Sequence, residues 1–182
     1  MEFIKIVYAL GNPGWENTYH NLGFDLLESL DQTNWFESKF FAFKKYGNLI
    51  LAKNLVLMNA SGLGVKEALV KFKIKPEELC LIHDDNDLLF GLIKFQFEKS
   101  SAGHKGVESV INELKTNKFW RLRIGIGHSR RKKAEKFVLK KLNSHHQKIF
   151  KKMCSNFPKL IDILATTPVY KINLSRNFLL KD

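Results

Sequence analysis

Residues 7–24 read VYALGNPGWENTYHNLGF, and the backbone changes character twice within them. Ile4–Leu10 is an apolar run of strand length. It stops at Gly11-Asn12-Pro13-Gly14, residue types that favour a tight turn. From Asn21 the period changes. Gly23, Leu26, Leu27 and Leu30 recur at the spacing of one helix face, which predicts a helix over 21–30. A buried strand, a turn carrying an Asn, a short loop carrying His20 and then a helix make the opening unit of an α/β domain.

The alternation continues downstream. Residues 40–54, FFAFKKYGNLILAKN, predict two strands joined at Gly47-Asn48. Val65–Phe72 predicts a helix with Val65, Ala68, Leu69 and Phe72 inward, ended by Pro76. Leu79–His83 reads as a short buried strand running into the acidic stretch Asp84-Asp85-Asn86-Asp87. Leu92–Phe97 alternates as a half-buried strand, Val107–Leu114 is helical, and Arg121–Gly127 is a strand. Ala134–Leu142 and Ser144–Leu164 read as helices, the second kinked or broken at Pro158. The expected architecture is one α/β domain over residues 1–182, with a mixed, mainly parallel, twisted central sheet flanked by helices.

Composition narrows the function classes. Cys80 and Cys154 are the only cysteines and form no C-x-x-C pair, so neither a disulfide framework nor a zinc knuckle is indicated. No apolar run approaches the ~20 residues of a membrane span. The start MEFIKIVYAL lacks the features of a secretory signal, so a cytoplasmic protein without membrane attachment is expected. The formal net charge of +12 is unevenly placed. Residues 1–98 hold 10 Lys/Arg against 13 Asp/Glu, whereas residues 99–159 hold 17 against 3. A general lysine bias would not leave the first half acidic, and one basic segment in a globular chain is an electrostatic footprint for a polyanion.

Polar clusters follow the apolar strands: Asn12 and His20 after the first, Asn59 after LVLM, and His83 to Asp87 after LCLI. SAGHKG adds His104 and Lys105. Ligands in open α/β sheets bind beyond the carboxyl ends of strands, so these clusters are expected to converge on one crevice. Three readings compete there. GNPG lacks the spacing of a dinucleotide loop, and Pro13 removes a backbone donor where a phosphate loop needs one. HDDND offers carboxylates to a hard cation, but such a run more often starts a turn or helix, and no metal is expected. The third is general-base hydrolysis. His20 would take a proton from water, an Asp such as Asp84 would fix its tautomer, and the side-chain amides of Asn12 and Asn59 would donate to an oxyanion. No G-x-S-x-G elbow and no activated cysteine is present, so water is the expected nucleophile.

The segments GNPGWENTYHNLGF, SKFFA, LMNASG, HDDNDL, AGHKGVESVI, FWRLRIGIGH and KFVLKKL occur in this order between residue 4 and about residue 142. As a set they resemble bacterial-type peptidyl-tRNA hydrolase. The resemblance implies that family's single α/β domain, usually a monomer. It also implies cleavage of the ester joining a peptide to the 3′ ribose of tRNA, with neither metal nor organic cofactor. It places His20 as the base, Asp84 as its stabilising partner and Asn12 beside the blocked amino group of the substrate. Asn59, Leu57, His104, Lys105 and Asn17 fall at substrate- or tRNA-binding positions. A non-catalytic RNA-binding protein on the same fold is the alternative, and an esterase unrelated to tRNA is a third reading.

The chain departs from the family pattern in several places. Lys105 stands where the family commonly has Asn, and Leu57 where Phe is common. The Gly14–His20 loop is shorter, and Asn17 replaces a substrate-contacting aromatic, with Trp15 or Tyr19 as its substitute. Residues 143–182 match the family weakly.

Overall fold

A computed structural model describes residues 2–30, 34–127 and 137–181. The strands are β1 (Ile6–Ala9), β2 (Phe36–Glu37), β3 (Phe41–Tyr46), β4 (Leu49–Asn54), β5 (Leu79–Leu89), β6 (Ile93–Phe97) and β7 (Trp120–Gly127). The helices are α1 (Leu22–Glu28), α2 (Ser61–Phe72), α3 (Lys105–Leu114) and α4 (Ser144–Thr166). The seven strands form one sheet in the order β2-β3-β4-β1-β5-β7-β6. Its centre, β4-β1-β5-β7, is parallel, and β3 and β6 close it on either side as antiparallel neighbours.

β1 is apolar at every position because both faces of the sheet are covered. Val7 and Ala9 meet α1 and α4, where Leu26, Phe157 and Ile161 are buried. Ile6 and Tyr8 face the opposite layer, with Val65 and Ala68 of α2 and Val107 and Val110 of α3. The chain leaves β1 toward β4 on one flank and β5 on the other. The crevice beyond the carboxyl end of β1 is therefore the switch point of the sheet.

Several boundaries differ from the sequence expectation. The helix predicted over 21–30 is Leu22–Glu28, preceded by a 3₁₀ turn at Tyr19–Asn21. The two-residue β2 was not foreseen. The acidic run after Leu79–His83 is no turn: β5 continues through it to Leu89. Aspartate is a poor strand former in isolation, but here Asp84 and Asp85 each accept hydrogen bonds from cationic or imidazole side chains. Of the helix predicted over 134–142, residues 134–136 lie outside the described chain. Residues 137–139 form a turn, and Thr18 pairs with Lys141 as an isolated antiparallel bridge. Pro158 does not break α4. Met153, Phe157, Leu160, Ile161 and Leu164 stay on one buried face across it, and that packing outweighs the one backbone bond that proline removes. Among the described residues no helix is long and apolar enough to cross a membrane.

The glycines of RLRIGIG have a packing reason. The register of β5 on β7 shifts between Asp85 and Leu89, which crowds the backbone there. A Cβ at Gly125 would lie 2.0 Å from the Leu89 carbonyl oxygen. Gly125→Ala therefore forces β5 away from β7 just beyond Asp84. We expect a loss of at least ~1–3 kcal/mol in urea unfolding, the usual cost of overpacking. A variant as stable as the parent would show that the shifted register is not held by this contact.

Candidate active site

The turn after β1 is held by two buried asparagines that act as surrogate peptides. Asn54, at the end of β4, accepts from the Gly11 N–H at 3.1 Å through Oδ1 and donates to the Gly11 carbonyl through Nδ2. Asn21 does the same for Asn12, accepting from its N–H and donating to its carbonyl, both at 2.8 Å. Buried backbone that has left a sheet needs such partners, because an unpaired peptide group costs ~1–3 kcal/mol. The clamps fix the backbone of Asn12. Its Oδ1 accepts from the Met58 N–H at 2.7 Å, so Nδ2 is the half left to donate.

His20 sits in the 3₁₀ turn between the Pro-Gly turn and α1, and its N–H donates to the Val138 carbonyl at 2.9 Å. Its Nδ1 lies 2.7 Å from Asp84 Oδ1. The same oxygen is 3.0 Å from His104 Nε2. The tautomer of His104 follows from its other nitrogen. As N-cap of α3, Nδ1 accepts from the Gly106 and Val107 N–H groups at 3.1 and 3.2 Å. Nδ1 must then be bare, and Nε2 carries the proton donated to Asp84. His20 likewise donates from Nδ1, which leaves its Nε2 as a free base.

The electrostatics follow from this network. Burial works against the Asp84 carboxylate, yet the charges and hydrogen bonds of His104 and His20 hold it well below the usual carboxylate range. Burial also works against a charged His20, but the Asp84 charge and hydrogen bond prevail and raise its pKa above the ordinary histidine value. His83 donates from Nδ1 to the Asp84 carbonyl at 2.8 Å, and burial keeps it neutral, its pKa well below the ordinary value.

His20, Asp84 and His104 also present three ligand atoms within 4.8 Å of one another. A cation would need His104 Nε2 without its proton, and the cap on Nδ1 opposes that. The trio is built as a proton network. Asp85 is engaged by the Arg123 Nε and by the Asp87 N–H at 2.8 Å, so the acidic run is spent on internal partners.

These groups line a cleft of about 870 Å³. Asn12, His20, Asn59, Asp84, His104 and Lys105 all border it, as the sequence predicted. So does Leu57, which is 62% exposed and offers an apolar lip. Asn17 does not. It lies outside the lining at φ 62°, a conformation asparagine tolerates, and its N–H donates to Asp25 at 2.8 Å. Burial, with Glu16 and Glu28 nearby, pushes the Asp25 carboxyl up to about 7. Neither Trp15 nor Tyr19 borders the cleft in its place, and Tyr19 is buried.

Sequence reasoning missed Val138 and Leu139, which border the cleft from a stretch read as helix. It also missed the clamps Asn21 and Asn54, for which a buried Asn at the end of an apolar strand was the available signal. Lys99, Lys105, Arg121 and Arg123, all from the basic segment, border the same cleft. Arg121 is buried and its Nε has no hydrogen-bond partner among the described residues. His128, within the quoted FWRLRIGIGH, lies outside the described residues.

A base, its carboxylate, amide donors and a basic wall at the switch point of an α/β sheet agree with what comparison finds. The family model described as peptidyl-tRNA hydrolase matches residues 6–177. A peptidyl-tRNA hydrolase from Sulfurihydrogenibium sp. (strain YO3AOP1) is 39% identical over 164 residues, covering 78% of this chain and 86% of the relative. One from Campylobacter curvus (strain 525.92) is 43% identical over 142 residues, covering 75% and 76%. The crystal structure of the Acinetobacter baumannii peptidyl-tRNA hydrolase superposes with a TM-score of 0.81 at 25% identity, over 98% of this chain and 95% of that one. With the match running through nearly the whole fold and across the strands and turns that build the cleft, the chain belongs to the peptidyl-tRNA hydrolase family.

Proposed function

We propose that the chain hydrolyses the ester between a peptide and the 3′ ribose of tRNA, as a cytoplasmic monomer and without a metal or organic cofactor. The observation that carries this reading is the bond from His20 Nδ1 to Asp84, which leaves Nε2 bare in a cleft that Asn12 also lines. A water held by Nε2 attacks the ester carbonyl as its proton passes to the imidazole. Asp84 stabilises the imidazolium, and His104 keeps Asp84 ionised and aimed. The amides of Asn12 and Asn59 donate to the tetrahedral oxyanion and to the peptide. Collapse returns the proton from Nε2 to the ribose oxygen, so the free tRNA leaves with its 3′ hydroxyl. Leu57 and Leu139 cover the apolar parts of the peptide. Lys105 and the arginines of the cleft attract the acceptor-end phosphates, which contribute affinity without reading sequence. Asn17 acts through the shape of the His20 loop.

His20→Ala should lower kcat by ~10²–10⁴-fold, the usual worth of a general base, and leave tRNA affinity largely intact. Near-normal release of peptide from peptidyl-tRNA by that variant would sink the assignment.

The pH dependence has a definite sign. His20 must be neutral to act and its pKa is raised, so kcat/KM should fall on acidification with a midpoint above the ordinary ~6.5 of histidine. Asp84→Asn removes the charge that raises it, so the midpoint should move to lower pH while the plateau drops. An unmoved midpoint would mean that another group titrates.

His104→Asn separates the two tasks of that histidine. Asn still caps α3 but no longer donates from the Nε2 position, so Asp84 binds the imidazolium of His20 more strongly. The acid midpoint should rise with little change in melting temperature; a midpoint that stays put would leave His104 a cap alone.

A further inference from the structure

The C-terminal helix α4 reaches the residue beside the base. Tyr19 immediately precedes His20 and is 4% exposed. Its ring meets Phe90, Phe137 and His146 edge-on, at 5.9, 5.3 and 5.5 Å between centroids. Its hydroxyl lies 2.9 Å from His146 Nδ1 in the first turn of α4. His146 is itself fixed. Its ring lies flat on Phe90 at 3.9 Å and 4°, and its N–H donates to the N-cap Asn143 at 2.8 Å. The Asn143 amide also donates to the Tyr19 oxygen at 3.4 Å. The rest of α4 is anchored in the core by Met153, Phe157 and Leu160.

The turn that carries His20 has little structure of its own. It is three residues long, and Thr18 before it makes no side-chain cap. Its backbone is held from outside, by Tyr19 N–H to the Lys140 carbonyl at 3.2 Å and His20 N–H to the Val138 carbonyl. Apolar packing alone would be met by Phe and Leu at positions 19 and 146. A buried hydroxyl and imidazole stabilise only while their hydrogen bond is intact, and that bond permits one ring orientation rather than several.

We propose that His146 is a positioning residue for His20: through the Tyr19 hydroxyl, α4 sets the orientation of the turn that presents the base. This rests on the reading of His20 as that base. A displacement of the turn by a fraction of an ångström misdirects Nε2 while leaving the tRNA-binding wall in place.

The test is a double-mutant cycle on Tyr19→Phe and His146→Ala, with His146→Gln as the conservative variant, since Gln can still accept from the hydroxyl. Each disrupting variant should lower kcat by roughly 10- to 100-fold, the range of a small misplacement, with KM for peptidyl-tRNA within about twofold. The double variant should be no worse than the poorer single one, because both remove the same contact. His146→Gln should recover most of the lost turnover.

The second readout needs no substrate. The Nδ1–H proton resonance of His20, bonded to Asp84, should shift or broaden in Tyr19→Phe and His146→Ala and return in His146→Gln. If the wild type releases no peptide, the functional reading fails, and the resonance alone still judges the strut. Tyr19→Phe removes a single oxygen and keeps the test open should His146→Ala not fold. Lower melting temperatures with unchanged kcat and an unchanged His20 resonance would overturn the proposal, as would additive losses or a change confined to KM.

Discussion

One carboxylate oxygen accepting from two imidazoles organises this molecule. Asp84 is 5% exposed, and a bare carboxylate at that depth would shed its charge or unfold the strand. It stays ionised because His20 and His104 both donate to Oδ1. Those donors come from different elements. His104 caps α3, His20 sits in the turn before α1, and Asp84 lies within β5. Satisfying one buried charge thus docks two segments against the centre of the sheet. The same bonds set the proton inventory: His20 and His104 each spend one nitrogen on the Asp84 carboxylate, the α3 cap takes the second nitrogen of His104, and of these two His20 keeps a free lone pair.

The surroundings serve that arrangement by removing alternatives. The buried turn after β1 would be costly if its peptide groups lacked partners, and Asn54 and Asn21 supply them. Both clamps hold consecutive peptide groups, so the backbone that carries Asn12 is fixed. The Met58 N–H then decides which end faces the cleft. The neighbouring carboxylate Asp85 is kept away from the imidazoles by Arg123. Charges in the acidic run are therefore sorted into a hydrogen-bonded network of imidazoles on Asp84 and a pair that braces β5 against β7.

Much of this was legible in sequence, and the failures have physical causes. Strands and helices whose periodicity comes from burial, such as β1, β4, α2 and α4, read correctly because apolar spacing is a local signal. The acidic half of β5 did not, since aspartates inside a strand make sense only once Arg123, His20 and His104 arrive from elsewhere. Pro158 was overread because α4 is held by the core rather than by its own backbone bonds. The stretch from Phe137 was taken as helix, whereas it runs beside the His20 loop and its carbonyls accept from Tyr19 and His20. Asn17 was placed among the substrate contacts by the family resemblance; it lies outside the cleft lining, with a φ of 62° and its N–H bonded to Asp25.

The sequence by itself determined the α/β class, the basic second half and the residue types at the strand ends, because each follows from composition or from short-range periodicity. Only the tertiary structure decided how the three histidines around Asp84 divide their nitrogens. His20, His83 and His104 are chemically alike in the sequence, and each touches Asp84 in the fold. Hydrogen bonds from other elements assign them. His104 is tied at both nitrogens, whereas His83 and His20 each engage one; the second nitrogen of His83 is buried without a partner among the described residues, and only His20 combines a bare nitrogen with partial exposure at the cleft. A proton acceptor is defined by the bonds its neighbours do not make, and those neighbours are distant in the chain.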